Sequence, residues 1–150
     1  MDKEQDIAKQ IAKISAAEEK NDYSAINQYL LDKRLSWMKQ NLHLLNSLEG
    51  SDVRRAFEMV IIRYLGLNPK EVLVVEETAN KIVWHSYNWC PVLEACQRLG
   101  KDTRKICQQG WESSVEAMAK LINPKIRFSR NYAQLRPYGD YCEEYFEITK

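Results

Sequence analysis

The sequence lacks the apolar segments that membranes and secretion require. None of its apolar runs approaches the roughly 18 residues of a membrane span. The stretch Met1–Asp6 is charged and does not carry the apolar core of a signal peptide. We therefore expect a protein of the cytosol that does not engage a membrane.

An excess of charge of either sign is also missing. The 150 residues include 22 basic and 21 acidic side chains, for a formal net charge of +1. Nucleic-acid-binding domains usually carry a basic surface, so this balance gives no reason to expect a nucleic acid partner. The chain also lacks a linker, a repeat or a low-complexity segment, and its length suits one domain with one core, spanning residues 1–150.

The first quarter of the chain predicts two helices. Ile7, Ile11 and Ile14 recur at helical spacing between charged residues, which predicts an amphipathic helix from about Lys3 to Lys20. Its wide polar face predicts that residues 1–22 lie at the periphery of the domain or against a partner chain. A homodimer is therefore one of the expected assemblies. Ser24 begins a second helix that runs to about Leu48.

A third helix and a β-hairpin follow. Ser51 is a suitable N-cap for a helix that ends near Leu65, before Gly66. Residues 72–77 and 82–87 are rich in β-branched and aromatic residues and flank a short polar turn, which predicts a hairpin. The continuous apolar run in the first of these strands predicts burial on both faces near its middle.

The stretch Asn88–Cys107 has clear helix punctuation. Pro91 suits the first position of a short helix, and Gly100 suits its end. Asp102 can cap a longer helix that runs to about Ile122 and is loosened near Gly110.

The last segment alternates in polarity and predicts a second hairpin, with strands near residues 126–132 and 142–148. Two hairpins can join into one sheet with helices packed on a face. The fold class predicted is therefore α+β, with an antiparallel four-stranded sheet in the order helices, hairpin, two helices, hairpin.

Cysteine is scarce and is concentrated around this helical stretch. Three of the four thiols lie within it, at Cys90, Cys96 and Cys107, and the fourth is Cys142. Disulfides are rare in a reducing cytosol, so metal binding, redox chemistry or burial are the alternatives. The spacing C-x5-C-x10-C-x34-C lacks the paired C-x2-C of zinc ribbons. If all four converge, such thiolates favour zinc or an iron–sulfur cluster; otherwise they pack in the core as small apolar groups.

Cys90 is the candidate nucleophile. It directly precedes a predicted helix, whose N-terminal N–H groups and dipole stabilise a thiolate. His85 lies close in sequence and would serve as its base if the imidazole reaches the sulfur. The alternative is that His85, next to Trp84, packs on the sheet.

The final hairpin suggests a ligand contact. If Phe128 faces Phe146, the same register places Arg130 opposite Glu144 and Tyr132 opposite Cys142. A buried arginine–glutamate pair often lines a pocket, and arginine is a natural partner for a ligand carboxylate. The alternative is an ordinary cross-strand pair.

Two tryptophans extend this candidate ligand site. Trp84 and Trp89 would supply apolar walls to a cavity, or alternatively to the core.

One part of the chain carries a resemblance to known proteins. Its motifs are the run Cys90-Pro91-Val92-Leu93-Glu94-Ala95-Cys96, then Leu99-Gly100, Asp102-Thr103-Arg104 and Cys107, then Asn123-Pro124, Phe128, Arg130, Arg136-Pro137-Tyr138 and Tyr141-Cys142-Glu143. Together they resemble archaeal and bacterial proteins near the L-2-amino-thiazoline-4-carboxylic acid hydrolase-like family, over roughly residues 56–148. The element order is also similar to that of the four-vinyl-reductase domain and of transport-particle subunits. The resemblance implies an α+β ligand-binding domain with the four cysteines as shared candidates, and more weakly implies hydrolysis.

Three functional hypotheses result. The first is a small-molecule-binding or sensing domain with a zinc or iron–sulfur site at Cys90, Cys96, Cys107 and Cys142. The second is a hydrolase of small cyclic amide or thiazoline carboxylic acids that uses Cys90 and His85. The third is a structural or interaction module whose thiols only pack.

Overall fold

A computed structural model describes residues 2–149 of the chain. Its elements are the helices α1 (Lys3–Lys20), α2 (Ser24–Asn41), α3 (Asp52–Ala56), α4 (Pro91–Leu99), α5 (Thr103–Gly110) and α6 (Ser113–Lys120), and the strands β1 (Val72–Glu77), β2 (Lys81–Ser86), β3 (Ile126–Arg130) and β4 (Cys142–Ile148). The predicted α+β fold with a four-stranded antiparallel sheet is confirmed. No helix within residues 2–149 combines the length and apolarity that crossing a membrane requires.

Local capping groups explain where several helices begin and end. Ser51 accepts a hydrogen bond from the Arg54 N–H at the start of α3, and Asp102 accepts one from the Arg104 N–H at the start of α5. Pro91 occupies the first turn of α4, and Gly100 ends that helix with a φ of 65°. These boundaries lie where the sequence predicts them.

Three helices depart from the predicted extents. The second helix keeps α-helical geometry only to Asn41 and continues as a 3₁₀ segment, Leu42–Ser47. The third changes to a π-helix over Phe57–Tyr64. The helix predicted to run from Thr103 to Ile122 is divided into α5 and α6 immediately after Gly110, the position where loosening is expected.

The sheet has the strand order β1-β2-β4-β3, so the two hairpins join through β2 and β4. Strand β1 is therefore an edge, and its register shifts between Val74 and Glu76. Leu73 and Val75 are 46% and 52% exposed. The prediction that this strand is buried on both faces is wrong, because its apolar run lies at the edge of the sheet.

The buried apolar side chains form two clusters. The sheet cluster joins the sheet to α2, α3, the π-helix and α6, and its largest buried members include Trp84, Phe146, Met38 and Met59. The helix cluster joins α1, α2, α4 and α5 around Ile14, Ile26, Cys96 and Ile106. Helix α1, predicted to be peripheral, packs on α4 and buries Ile7, Ile14 and Ala17.

Candidate functional site

A cavity of about 590 Å³ lies where the two clusters meet. Trp84 and Phe128 of the sheet cluster form one part of its wall, while Leu30, Val92 and Trp111 of the helix cluster form another. The Trp84 and Phe128 rings are stacked, with centroids 6.3 Å apart. Ligand pockets of proteins typically have about 300–1,000 Å³ and mainly apolar walls, so this cavity has the size and lining of a small-molecule site.

A buried ion pair between neighbouring strands forms part of the wall of the cavity. Phe128 pairs with Phe146 and Arg130 with Glu144, which is the register predicted from the sequence. Arg130 Nε donates to Glu144 Oε2 at 3.1 Å, and the two side chains are only 11% and 14% exposed. Ser86 Oγ donates to the other oxygen of Glu144 at 2.9 Å. The carboxylate is therefore held from both sides and fixes the arginine in place.

The predicted continuation of this register is wrong. Strand β3 ends at Arg130, and Cys142 pairs with Ser86 of β2. The hydroxyl of Tyr132 instead donates to Glu112 at 2.7 Å.

A second buried arginine lines the same cavity. Arg34 of α2 is 7% exposed, and its Nη1 donates to Ser114 Oγ at 2.9 Å. Burial lowers the pKa of Arg34, and the positive charge of Arg130 acts in the same direction. Burial by itself would also lower the pKa of Arg130, but the Glu144 carboxylate together with Cys107 and Tyr132 more than offsets this and raises it. Arg130 thus stays cationic, and Arg34 is a second cation in the same region.

Sequence reasoning missed Arg34, although a signal was present. Leu30, Arg34 and Met38 follow one another at intervals of four residues along α2, and all three are buried. A charged side chain at a position where the apolar stripe continues indicates a buried polar site.

The four ligand contacts predicted from the sequence all line the cavity. They are Arg130, Glu144, Trp84 and Trp89. Trp89 also lies beneath Lys3, whose Nζ is 5.0 Å from the ring centroid. The structure therefore brings these residues together, whereas their role in binding stays a prediction.

Three of the four thiols also line the cavity, namely Cys90, Cys107 and Cys142. Cys96 is buried in the helix cluster instead, and all four are free thiols. Within residues 2–149 no group of three or more histidine, cysteine, aspartate or glutamate side chains is placed to hold a metal ion. The zinc or iron–sulfur site at these four cysteines stays a prediction that the described arrangement does not support.

Burial favours the protonated form of Cys90, Cys96 and Cys107. It raises the pKa of Cys107 to about 12 and that of Cys96 to about 11, from an ordinary value of 9.0. Burial also raises the pKa of Cys90, although the N–H groups of Leu93 and Val92 act in the opposite direction. The expected activation of Cys90 by the start of α4 is therefore outweighed by its removal from water.

His85 does not join Cys90 in one site. The His85 ring stacks on Tyr141 with centroids 3.8 Å apart, and its Nε2 lies 3.1 Å from Glu143 Oε2. His85 alternates with Trp84 and Ser86 along β2, so it leaves the sheet on the face opposite these cavity-lining residues. This histidine packs on the outer face, as the alternative reading of the sequence expects.

No protein-family model matches the chain, and neither the curated proteins nor the solved structures contain a significant match. The resemblance to the hydrolase-like family and to the four-vinyl-reductase domain accordingly stays a prediction.

Proposed function

We propose that this protein binds a small organic molecule in the cavity between the sheet cluster and the helix cluster, as a carrier or sensor of that molecule. The single observation that carries the proposal is the cavity of about 590 Å³, which combines aromatic walls with a few convergent polar side chains. Trp84, Phe128 and Trp111 offer flat apolar surfaces, and the Arg130–Glu144 pair offers fixed polar groups.

The hydrolase hypothesis has less support from the same geometry. A cysteine nucleophile needs a lowered pKa or a base within hydrogen-bond reach. Burial raises the pKa of Cys90, and His85 is engaged with Glu143 and Tyr141 on the other face of β2. The hypothesis that the thiols only pack agrees with the burial of Cys96 and the partial burial of the other three, but it gives no role to the cavity.

Binding is tested with N-phenyl-1-naphthylamine, a neutral aromatic probe that becomes fluorescent in apolar surroundings. We expect saturable binding of one probe per chain. Cys107→Phe places a large ring in the cavity wall and should weaken binding at least about tenfold, because one lost apolar contact of 1–3 kcal/mol corresponds to roughly tenfold or more. Leu73→Phe places the same ring on the exposed edge strand and should leave binding unchanged.

Circular dichroism and thermal unfolding establish whether each variant is folded. If Cys107→Phe does not fold, Val92→Phe tests a different part of the same wall. Equal probe affinity in wild type and a folded cavity variant would contradict the proposal, as would absence of binding to the wild-type protein.

A further inference from the structure

We infer that the ligand is a monoanion whose charged head group lies between Arg34 and Arg130, with its apolar body against the aromatic wall. The inference rests on the proposed function, since it names the chemical class of the molecule that the cavity binds.

The first argument comes from hydrogen-bond donors without partners. In the part of the chain that the structure describes, five buried side-chain atoms make no hydrogen bond, and three of them are N–H groups of cavity-lining residues: Arg34 Nε, Trp84 Nε1 and Arg130 Nη1. Buried donors are nearly always satisfied in folded proteins, because an unmade hydrogen bond leaves the full penalty of desolvation. Three donors around one cavity indicate an acceptor that the ligand supplies.

The second argument comes from charge. Arg130 is paired with Glu144, but no carboxylate within residues 2–149 forms an ion pair with Arg34. The buried Arg34–Arg130–Glu144 group thus carries one excess positive charge. A neutral acceptor would satisfy the donors and leave this charge uncompensated, whereas a monoanion satisfies both requirements.

The geometry of the donors favours a planar head group with two oxygens. The guanidinium of Arg130 already uses Nε on Glu144 and Nη2 on the Trp111 carbonyl, so Nη1 is its available nitrogen. Arg34 uses Nη1 on Ser114 and offers Nε. A carboxylate has two oxygens and can accept one hydrogen bond from each arginine.

The rest of the lining supports an anion with an apolar body. Five basic and only two acidic side chains line the cavity, including Lys13 and Lys33. Basic groups around a cavity raise the local concentration of anions and their rate of entry. The aromatic wall excludes a small inorganic anion as the preferred ligand, because such an ion would leave that surface without a partner.

The test uses two isosteric competitors, 1-naphthoate, which is ionised at pH 7, and its neutral amide, 1-naphthamide. Both are titrated against N-phenyl-1-naphthylamine bound to the wild-type protein. We expect 1-naphthoate to displace the probe at a concentration at least about tenfold lower, because a hydrogen bond to a charged group contributes about 1.5–3 kcal/mol, roughly ten- to a hundredfold in affinity. Arg34→Gln should abolish this preference.

Arg63→Gln is the matched control, since Arg63 is exposed and lies outside the cavity lining; it should keep the preference. If Arg34→Gln does not fold, the double variant Arg130→Gln/Glu144→Gln removes the other guanidinium and keeps the net charge of the group. Because the head group then loses one of its two hydrogen bonds while the excess charge of Arg34 remains, the preference for 1-naphthoate should be reduced. Probe binding without discrimination between the two competitors would overturn this inference alone. If the probe itself does not bind, the proposed function fails and the inference fails with it.

Discussion

At the scale of single residues, the pKa values of Cys90, Cys96 and Cys107 are set mainly by burial and not by the position of each thiol on a helix. Cys90 begins α4, but burial still raises its pKa. The helix start could be predicted from Pro91, whereas the desolvation could not, because it depends on side chains that only the fold brings near. Similarly, strand alternation predicted the Arg130–Glu144 pair, whereas the place of Arg34 in the apolar stripe of α2 indicates its burial but not that the fold brings it near Arg130.

The raised thiol pKa values predict a loss of stability in alkali. Cys96 and Cys107 keep their protons to about pH 11 and 12 in the folded protein, while the unfolded chain releases them near 9.0. Because the folded state then binds more protons than the unfolded one, the free energy of unfolding should fall as pH rises above 9. Each thiol contributes at most about 1.4 kcal/mol per pH unit, measured by urea denaturation between pH 8 and about pH 11.

The control is the double variant Cys96→Ala/Cys107→Ala, whose stability should fall less steeply over the same range. Tyr23, whose pKa is raised by burial and by its hydrogen bond to Glu18, contributes in the same direction to both proteins. A flat profile for the wild type, or identical slopes for the two proteins, would contradict the prediction.

At the scale of elements, local signals predict the boundaries that are set locally. Ser51, Pro91 and Gly100 act through their own backbone and side-chain chemistry, so the sequence is sufficient to locate them. The exposure of Val75 and the pairing of β2 with β4 depend on how distant segments meet. Neither follows from the alternation of apolar and polar residues along the chain. The strands could therefore be predicted from the sequence, whereas their order in the sheet could not.

Gly100 allows a direct test of such a local signal. Its φ is 65°, and a Cβ at this position would lie more than 4 Å from every heavy atom of residues 2–149 outside Gly100 and its two chain neighbours. Gly100→Ala should therefore act through backbone strain alone and lower the free energy of unfolding by about 1–2 kcal/mol. Gly100→Asn should lower it less, because asparagine tolerates left-handed geometry. Gln97→Ala, on the exposed side of α4, should change it little.

Urea denaturation of the four proteins provides the measurement. Equal stability of the Ala and Asn variants would indicate that the left-handed conformation at the end of α4 is not what the glycine provides.

At the scale of the whole molecule, the cavity lies at the junction of two apolar clusters that are joined by α2. This helix contributes Ile26 and Leu30 to the helix cluster and Met38 to the sheet cluster. A ligand that contacts Trp84 on one side and Trp111 on the other would link the same two clusters.

This arrangement predicts how ligand binding alters amide hydrogen exchange. A ligand that binds only the folded state stabilises it by about 2.7 kcal/mol at a hundred times its dissociation constant. With N-phenyl-1-naphthylamine at that concentration, the exchange of amides that open through partial unfolding of either cluster should slow roughly a hundredfold, in β2 and β4 and also in α4 and α5, because opening of either cluster removes part of the cavity wall and releases the probe. Cys107→Phe, whose affinity for the probe is at least about tenfold lower, should show at most about a tenfold slowing at the same probe concentration. Protection confined to one cluster would contradict a site shared by both, since a ligand held by the sheet cluster alone has no means of retarding the opening of the helix cluster.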